Sequence, residues 1–166
     1  MLSLITPVYN EEQNVEPFLN SVVPIISNVS NNDYEIIFCM DPGTDNTEKK
    51  ILEKIDINKK LKLLKFSRRF GQSNSIFAGI ENCNGDYCII MDIDLQDPPE
   101  IIEKLFSKIK QGYDCVYAKR KKKVGENFFR NFLTKIYYFT INYFSYVKIP
   151  INTGECRIIS RKIIEK

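Results

Sequence analysis

The stretch that most constrains this chain is YCIIMDIDLQDPPE, Tyr87 to Glu100. The apolar run Cys88–Met91 leads straight into Asp92-Ile93-Asp94, and Gln96-Asp97-Pro98-Pro99 closes the segment. A short apolar run bounded by turn residues predicts a buried strand. Carboxylates at i and i+2 share one face of a straight strand, and at its end they can converge on one cation. Two hard oxygen ligands with open positions suit Mg2+ or Mn2+ bridging to a diphosphate. Pro98 and Pro99 cannot continue a central strand, but proline is accepted in a helix's first turn. The expectation is strand, acidic loop, helix, with the carboxylates where open α/β sheets bind ligands. Loop aspartates also cap helices, so the pair alone leaves a structural role open.

A chain of 166 residues suits one domain with a real core. The net charge is only +3, but Lys119 to Lys123 is an unbroken basic run, KRKKK. There is no histidine, which excludes His-based triads, His general bases and His metal sites. Catalysis is left to carboxylates, Lys, Arg, Tyr, Cys or a metal. Cys39, Cys83, Cys88, Cys115 and Cys156 are odd in number and form no C-x-x-C pair. Cys39, Cys88 and Cys115 lie in apolar runs, where Cys behaves as a small hydrophobe, so a reduced setting is expected. Met1 leads directly into a strand, so no signal peptide is expected, and no charge-free apolar stretch reaches transmembrane length.

The chain alternates strands and helices. Leu2–Ile5 is a first strand, expected to end at Thr6-Pro7, with a polar loop Val8–Glu12 after it. Asn14 is a candidate cap for a helix carrying Val15, Phe18, Leu19, Val22, Val23 and Ile26, which Pro24 should kink or shorten. Tyr34–Met40 is a second strand ending in the turn Asp41–Asp45, and Thr44 or Asp45 can cap a helix with Ile51, Leu52 and Ile55. Leu61–Phe66, a short helix through Ile76, Phe77 and Ile80, and the turn Asn84–Asp86 lead to the acidic strand. A helix with Ile101, Ile102, Leu105, Phe106 and Ile109 on one face ends at Gly112, and Cys115–Ala118 is a fifth strand. This alternation predicts an α/β fold, a mostly parallel central sheet flanked by helices.

Residues 126–144 differ. Phe128, Phe129, Phe132, Leu133, Ile136, Tyr137, Thr140, Tyr143 and Phe144 fall along one helical face beside the KRKKK run. That pattern fits an amphipathic helix in the interface of an anionic membrane, and equally a helix packed on its own domain's sheet. Asn152–Arg161 reads as a polar turn with Glu155, then a short apolar stretch, and the chain stops within a starting helix. A fragment lacking C-terminal helices and transmembrane segments is expected.

Several segments, in order, resemble one family. TPVYNEE, EIIFCMDPGTDNT, SRRFGQSNSIFAGI, MDIDLQDPPE, GENFF and GECRIISR are similar to GT-A family 2 glycosyltransferases. The QDPP tail is similar to the polyprenyl-phosphate branch, of the dolichol-phosphate mannose synthase type. The resemblance covers essentially the whole chain. It implies a GT-A fold and an inverting, metal-dependent transfer of a sugar from a UDP- or GDP-sugar to a polyprenyl phosphate. It implies the cytoplasmic face of the plasma membrane and cell-envelope glycan synthesis, and it is compatible with a homo-oligomer. Pro7, Tyr9, Glu11, Asp41 and Asp92 would bind the nucleotide, Asp41 reading the base. Asp92 and Asp94 would hold Mg2+ or Mn2+, with Asp94 catalytic. Arg120 and Arg157 would contact the acceptor or diphosphate. Met40-Asp41-Pro42-Gly43 replaces the usual Asp-Asp-Gly-Ser, Arg69 a usual Asn, and Glu155 a usual Asp.

A phosphate monoester is mostly dianionic at pH 7 and needs no strong base, whereas an alcohol acceptor would need one, for which Glu155 is the candidate. A non-catalytic nucleotide-sugar or membrane-binding homologue is the main alternative. Haloacid-dehalogenase-type phosphatases also carry Asp-x-Asp after a strand, but on their first strand rather than the fourth. Nucleic-acid binding finds no support beyond the KRKKK run.

Overall fold

The computed structural model describes residues 1–119, 137, 140, 141, 143–145 and 153–165; at 119 and 153–155 only the backbone is described. The chain divides into two units, Met1–Tyr117 with Glu155–Lys166, and Ala118–Gly154.

Strands and helices alternate: β1 (Leu2–Val8), α1 (Val15–Val29), β2 (Tyr34–Met40), α2 (Thr47–Ile57), β3 (Leu61–Lys65), α3 (Gln72–Glu81), β4 (Tyr87–Ile90), α4 (Ile101–Ile109) and β5 (Cys115–Lys119). Strand β6 (Thr153–Ser160) and a short α5 (Arg161–Ile164) follow. The sheet order is β3-β2-β1-β4-β6-β5. The β1–β2, β1–β4 and β2–β3 pairs are parallel, and β4–β6 is antiparallel.

The central strands are apolar throughout because both faces are covered. On one face Ile5, Ile37, Cys39, Cys88 and Ile90 pack with Ile76 of α3. On the other, Phe38 meets Phe18 of α1 edge to face at 6.3 Å, and Tyr87 meets Phe106 of α4 at 5.8 Å. Burial of each such large apolar side chain contributes about 1.5–3 kcal/mol.

Several expectations need correction. Strand β1 runs through Thr6-Pro7 to Val8. Ile5 O accepts from Met91 N on the β4 side, whereas Val8 O accepts from Asp41 N beyond β2. Alternation therefore turns Pro7 towards the β4 side, beyond that strand's end, where its missing N–H costs nothing. Helix α1 continues past Pro24 to Val29; Pro24 is exposed, so the carbonyl it leaves unpaired faces water. Asn14 makes no side-chain cap and instead donates its amide to Glu11 Oε2 at 2.6 Å. Leu52 and Phe77 are exposed rather than on the packed faces of their helices. Glu155 belongs to β6, a full strand, rather than to a turn. Cys115 is exposed because β5 is an edge strand, while the other four cysteines are buried. Burial pushes the Cys39 thiol up to about 12, as suits an inert core residue.

One buried carboxylate pins the closed end of the sheet. Glu35 of β2 accepts from Ser3 Oγ at 2.6 Å, Asn84 N at 2.6 Å and Lys62 Nζ at 2.6 Å. Ser3 Oγ in turn accepts from Gly85 N at 2.8 Å, so the α3–β4 turn is tied to β1 and β2. Burial pushes the Glu35 carboxyl up, but these hydrogen bonds outweigh it and hold the group below its usual range. Stability from a depressed carboxyl is present above its unfolded pKa and lost as pH falls through the folded one. Glu35→Gln should therefore cost about 1–3 kcal/mol at pH 7. The gap to the unmodified protein should close as pH drops below about 4 in urea titrations. An equal gap at both pH values would reject the assignment.

Candidate functional site

Strands β1, β2 and β4 run parallel; β1 and β2 end side by side, Val8 beside Met40, while β4 ends earlier, Ile90 beside Ile5, and its chain runs on through Met91 to Asp92. Their carboxyl ends open onto a cleft of about 330 Å³. Pro7, Tyr9 and Glu11 after β1, Asp41 after β2, Arg69, Gly71 and Gln72 before or in α3, and Asp92 and Asp94 after β4 line it. The six residues expected to bind nucleotide or metal are therefore gathered in one place. Among the described residues no group of three His, Cys, Asp or Glu side chains is arranged for a metal.

The floor is a pair of interlocked loops. Asn10, in the left-handed region at φ 55°, accepts from Thr44 N at 2.8 Å through Oδ1. Glu11 N donates to Thr47 Oγ1, and Glu12 N to Asp45 Oδ2. Asp45 Oδ1 accepts from Thr47 N, and this cluster of hydrogen bonds, outweighing partial burial, holds its carboxyl low. Gly43 allows the close approach: a Cβ there would lie 2.4 Å from Asn10 Oδ1. This explains how a turn carrying Pro42 and Gly43 still closes the site.

Asp41 is buried, and its two oxygens accept from Phe70 N at 3.0 Å and Gly71 N at 2.9 Å. It thereby anchors the loop between β3 and α3, where Gly71 takes φ 83°, a conformation that favours glycine. The role was not legible beforehand, because those partners are backbone groups. The same loop carries Arg69, whose guanidinium lies 4.0 Å from the centre of the Tyr9 ring. Gln72 Nε2 donates to Asp92 Oδ1 at 2.9 Å and orients that carboxylate. Arg69 and Gln72 were not anticipated as site residues; Arg69 had been visible only as a departure from the family pattern.

Asp92 is half-buried and Asp94 exposed, both just past the end of β4. Asp94 Oδ1 accepts from Gln96 N at 3.1 Å, and between them Leu95 sits at φ 57°. A leucine in that region stores of order 1–3 kcal/mol of strain, which is common at ligand sites. The expected helix follows, with Pro98 and Pro99 in the turn before α4.

Other expected residues lie apart or beyond view. Arg157 does not line the cleft; it is exposed on β6, level with Ile90, and its charge acts on Cys115. Continuing the antiparallel β4–β6 register carries the backbone of Glu155 to the level of Asp92. Arg120, most of the KRKKK run and most of residues 126–144 lie outside the described residues. Of that last stretch, Tyr137, Tyr143 and Phe144 are helical and exposed. No helix among the described residues is long and apolar enough to cross a membrane.

Comparison with known proteins follows the same outline. An uncharacterized glycosyltransferase of Synechocystis, sll0501, is 37% identical over 163 residues, covering 98% of this chain and 51% of the relative. A bactoprenol glucosyl transferase of Shigella phage SfX is 34% identical over 165 residues, covering 99% of this chain and 53% of the relative. The chain thus spans about half the length of these relatives. Among solved structures, a Pyrobaculum calidifontis mannosyltransferase in complex with GDP-Man and Mn2+ superposes with TM-score 0.70 at 19% identity, covering 99% of this chain and 45% of that one. A Mycobacterium tuberculosis glucosyl-3-phosphoglycerate synthase in complex with Mn2+, UDP and glucosyl-3-phosphoglycerate gives 0.65 at 19%, covering 98% of this chain and 57% of that one. The fold is the expected GT-A fold, and with residues 3–166 matching the family model, the chain belongs to glycosyl transferase family 2.

Proposed function

We propose that this chain is the donor-binding catalytic unit of an inverting glycosyltransferase. It moves a sugar from a nucleoside diphosphate sugar to a polyprenyl phosphate at a membrane surface. The observation that carries the reading is the cleft in which Asp92 and Asp94 share the carboxyl end of the parallel sheet with Asp41 and Tyr9. The bactoprenol glucosyl transferase relative supports the lipid phosphate acceptor. The neighbours holding GDP-Man or UDP support the donor class, and their Mn2+ supports a divalent cation.

Asp92 and Asp94 fit such a cation. They are hard oxygen donors with no third protein ligand grouped beside them among the described residues, which leaves positions for diphosphate oxygens. Bound there, the cation would supply charge neutralisation to the departing diphosphate. The chain's own residues do the rest: Gln72 fixes Asp92, the interlocked loops 10–12 and 43–47 set the nucleotide pocket, and Asp41 holds its far wall. A dianionic acceptor phosphate needs no general base, in keeping with a chain without histidine. The β4–β6 register favours a second reading, an alcohol acceptor with Glu155 as base, since that backbone lies level with Asp92. For the membrane, the proposed seat is the cytoplasmic leaflet, and the KRKKK run and the aromatic pattern of residues 126–144 support it.

Three outcomes follow. Asp94→Asn keeps the acceptor for Gln96 N but weakens a cation ligand. It should lower transfer by roughly 10²-fold or more with an unchanged melting temperature; wild-type rates would remove Asp94 from the site. Asp41→Ala should lose nucleoside diphosphate affinity and about 2–3 kcal/mol of stability together, because two backbone N–H groups lose a charged acceptor. Calorimetry showing intact affinity would reject Asp41 as a nucleotide residue, and an unchanged denaturation midpoint would reject its anchoring role. The protein should float with anionic vesicles at low salt and release as salt rises; no flotation at low salt would remove the interfacial role while leaving the transferase reading standing.

A further inference from the structure

The cleft is acidic. Glu11, Asp41, Asp92 and Asp94 line it, and Arg69 is the one cationic side chain among its described lining residues. A guanidinium beside carboxylates normally pairs with one of them. Arg69 instead lies 4.0 Å from the centre of the Tyr9 ring, and no carboxylate among the described residues forms an ion pair with it. Asp41 is already engaged by Phe70 N and Gly71 N, and Asp92 by Gln72. Two of the cleft's acids are thus engaged by other donors, and an aromatic face holds the cation.

Both members of the stack are reachable. Tyr9 is 36% exposed and Arg69 is exposed, and they come from opposite walls, the loop after β1 and the loop before α3. This contact engages the charge of the guanidinium rather than its N–H edge, which makes no hydrogen bond among the described residues. That edge presents paired donors with the spacing of two oxygens on one phosphate. The charge balance agrees. Asp92 and Asp94 would themselves offset a divalent cation held there, which would leave the negative charge of a diphosphate in need of a further positive group. Among the described residues, Arg69 is the one that lines the cleft.

We infer that Arg69, held on Tyr9, is a diphosphate-contacting residue of the donor site, reading the phosphates rather than the base. This rests on the donor-site reading above. A phosphate contact is blind to the base, so it would serve a uridine or a guanosine donor equally. Neighbouring Arg68 stacks on Phe70 at 4.8 Å and is not among the cleft's lining residues, which makes it the matched control.

The test is calorimetry in the presence of Mn2+ on the full chain, using UDP, GDP and inorganic pyrophosphate as probes. Arg69→Asn should weaken all three by a similar factor, roughly ten- to a hundredfold. Arg69→Lys should recover part of the loss, since it keeps charge without the planar fork. Arg68→Asn should leave all three unchanged, and melting temperatures should match. Loss confined to one nucleotide with pyrophosphate unaffected would make Arg69 a base contact and overturn the inference, as would equal affinities in Arg69→Asn. If the unmodified protein bound none of the three, the donor-site reading itself would fall, and the role of Arg69 with it.

Discussion

Parallel pairing of β1 between β2 and β4 is the constraint from which the rest of the molecule follows. Register sets Ile5 against both Ile37 and Ile90, so three chain segments leave the sheet at its same, carboxyl end. Each exit delivers polar groups: Tyr9 and Glu11 from β1, Asp41 from β2, Asp92 and Asp94 from β4. Parallel strands require helical crossovers, which cover both faces and make the strands apolar throughout. A slip of one residue would turn every core side chain to the opposite face and scatter the carboxylates. The buried ring of Ser3, Glu35 and the Asn84–Gly85 turn guards this register at the opposite end of the strands.

The acidic cleft is held together by uncharged hydrogen-bond donors. Asp41 accepts from two backbone N–H groups, Asp92 counts a glutamine amide among its partners, and Asp94 accepts from the Gln96 N–H. None of these partners is a cation. Arg69, the one cation among the cleft's described lining residues, lies over an aromatic ring. Leu95 in the left-handed region adds local strain beside the pair, next to the exposed Asp94.

Much of this was legible in the sequence, for physical reasons that differ by element. Strands β2 and β4 are apolar runs closed by turn residues, so the bounds of β2, the existence of β4 and the position of the carboxylates could be read directly. Strand β6 could not, because TGECRIIS offers only Cys156, Ile158 and Ile159 as apolar members; its alternation of buried Cys156, exposed Arg157 and buried Ile158 was the available signal. The edge position that exposes Cys115 depends on strand order, which local sequence does not encode. Pro7 was read as a strand end because local rules cannot show that its neighbour β4 stops first. The Arg69–Tyr9 stack and the backbone partners of Asp41 join segments far apart in sequence, and only the folded chain brings them together.

The central claim is that the cleft at the carboxyl ends of β1, β2 and β4 binds a metal nucleoside diphosphate. The most direct measurement is an anomalous difference map from crystals grown with Mn2+ and UDP or GDP. The account predicts a manganese peak within coordination distance of Asp92 or Asp94, about 2.0–2.3 Å, with the diphosphate beside it and the nucleoside towards Asp41 and Tyr9. A manganese peak elsewhere, or a nucleotide bound outside this cleft, would contradict it.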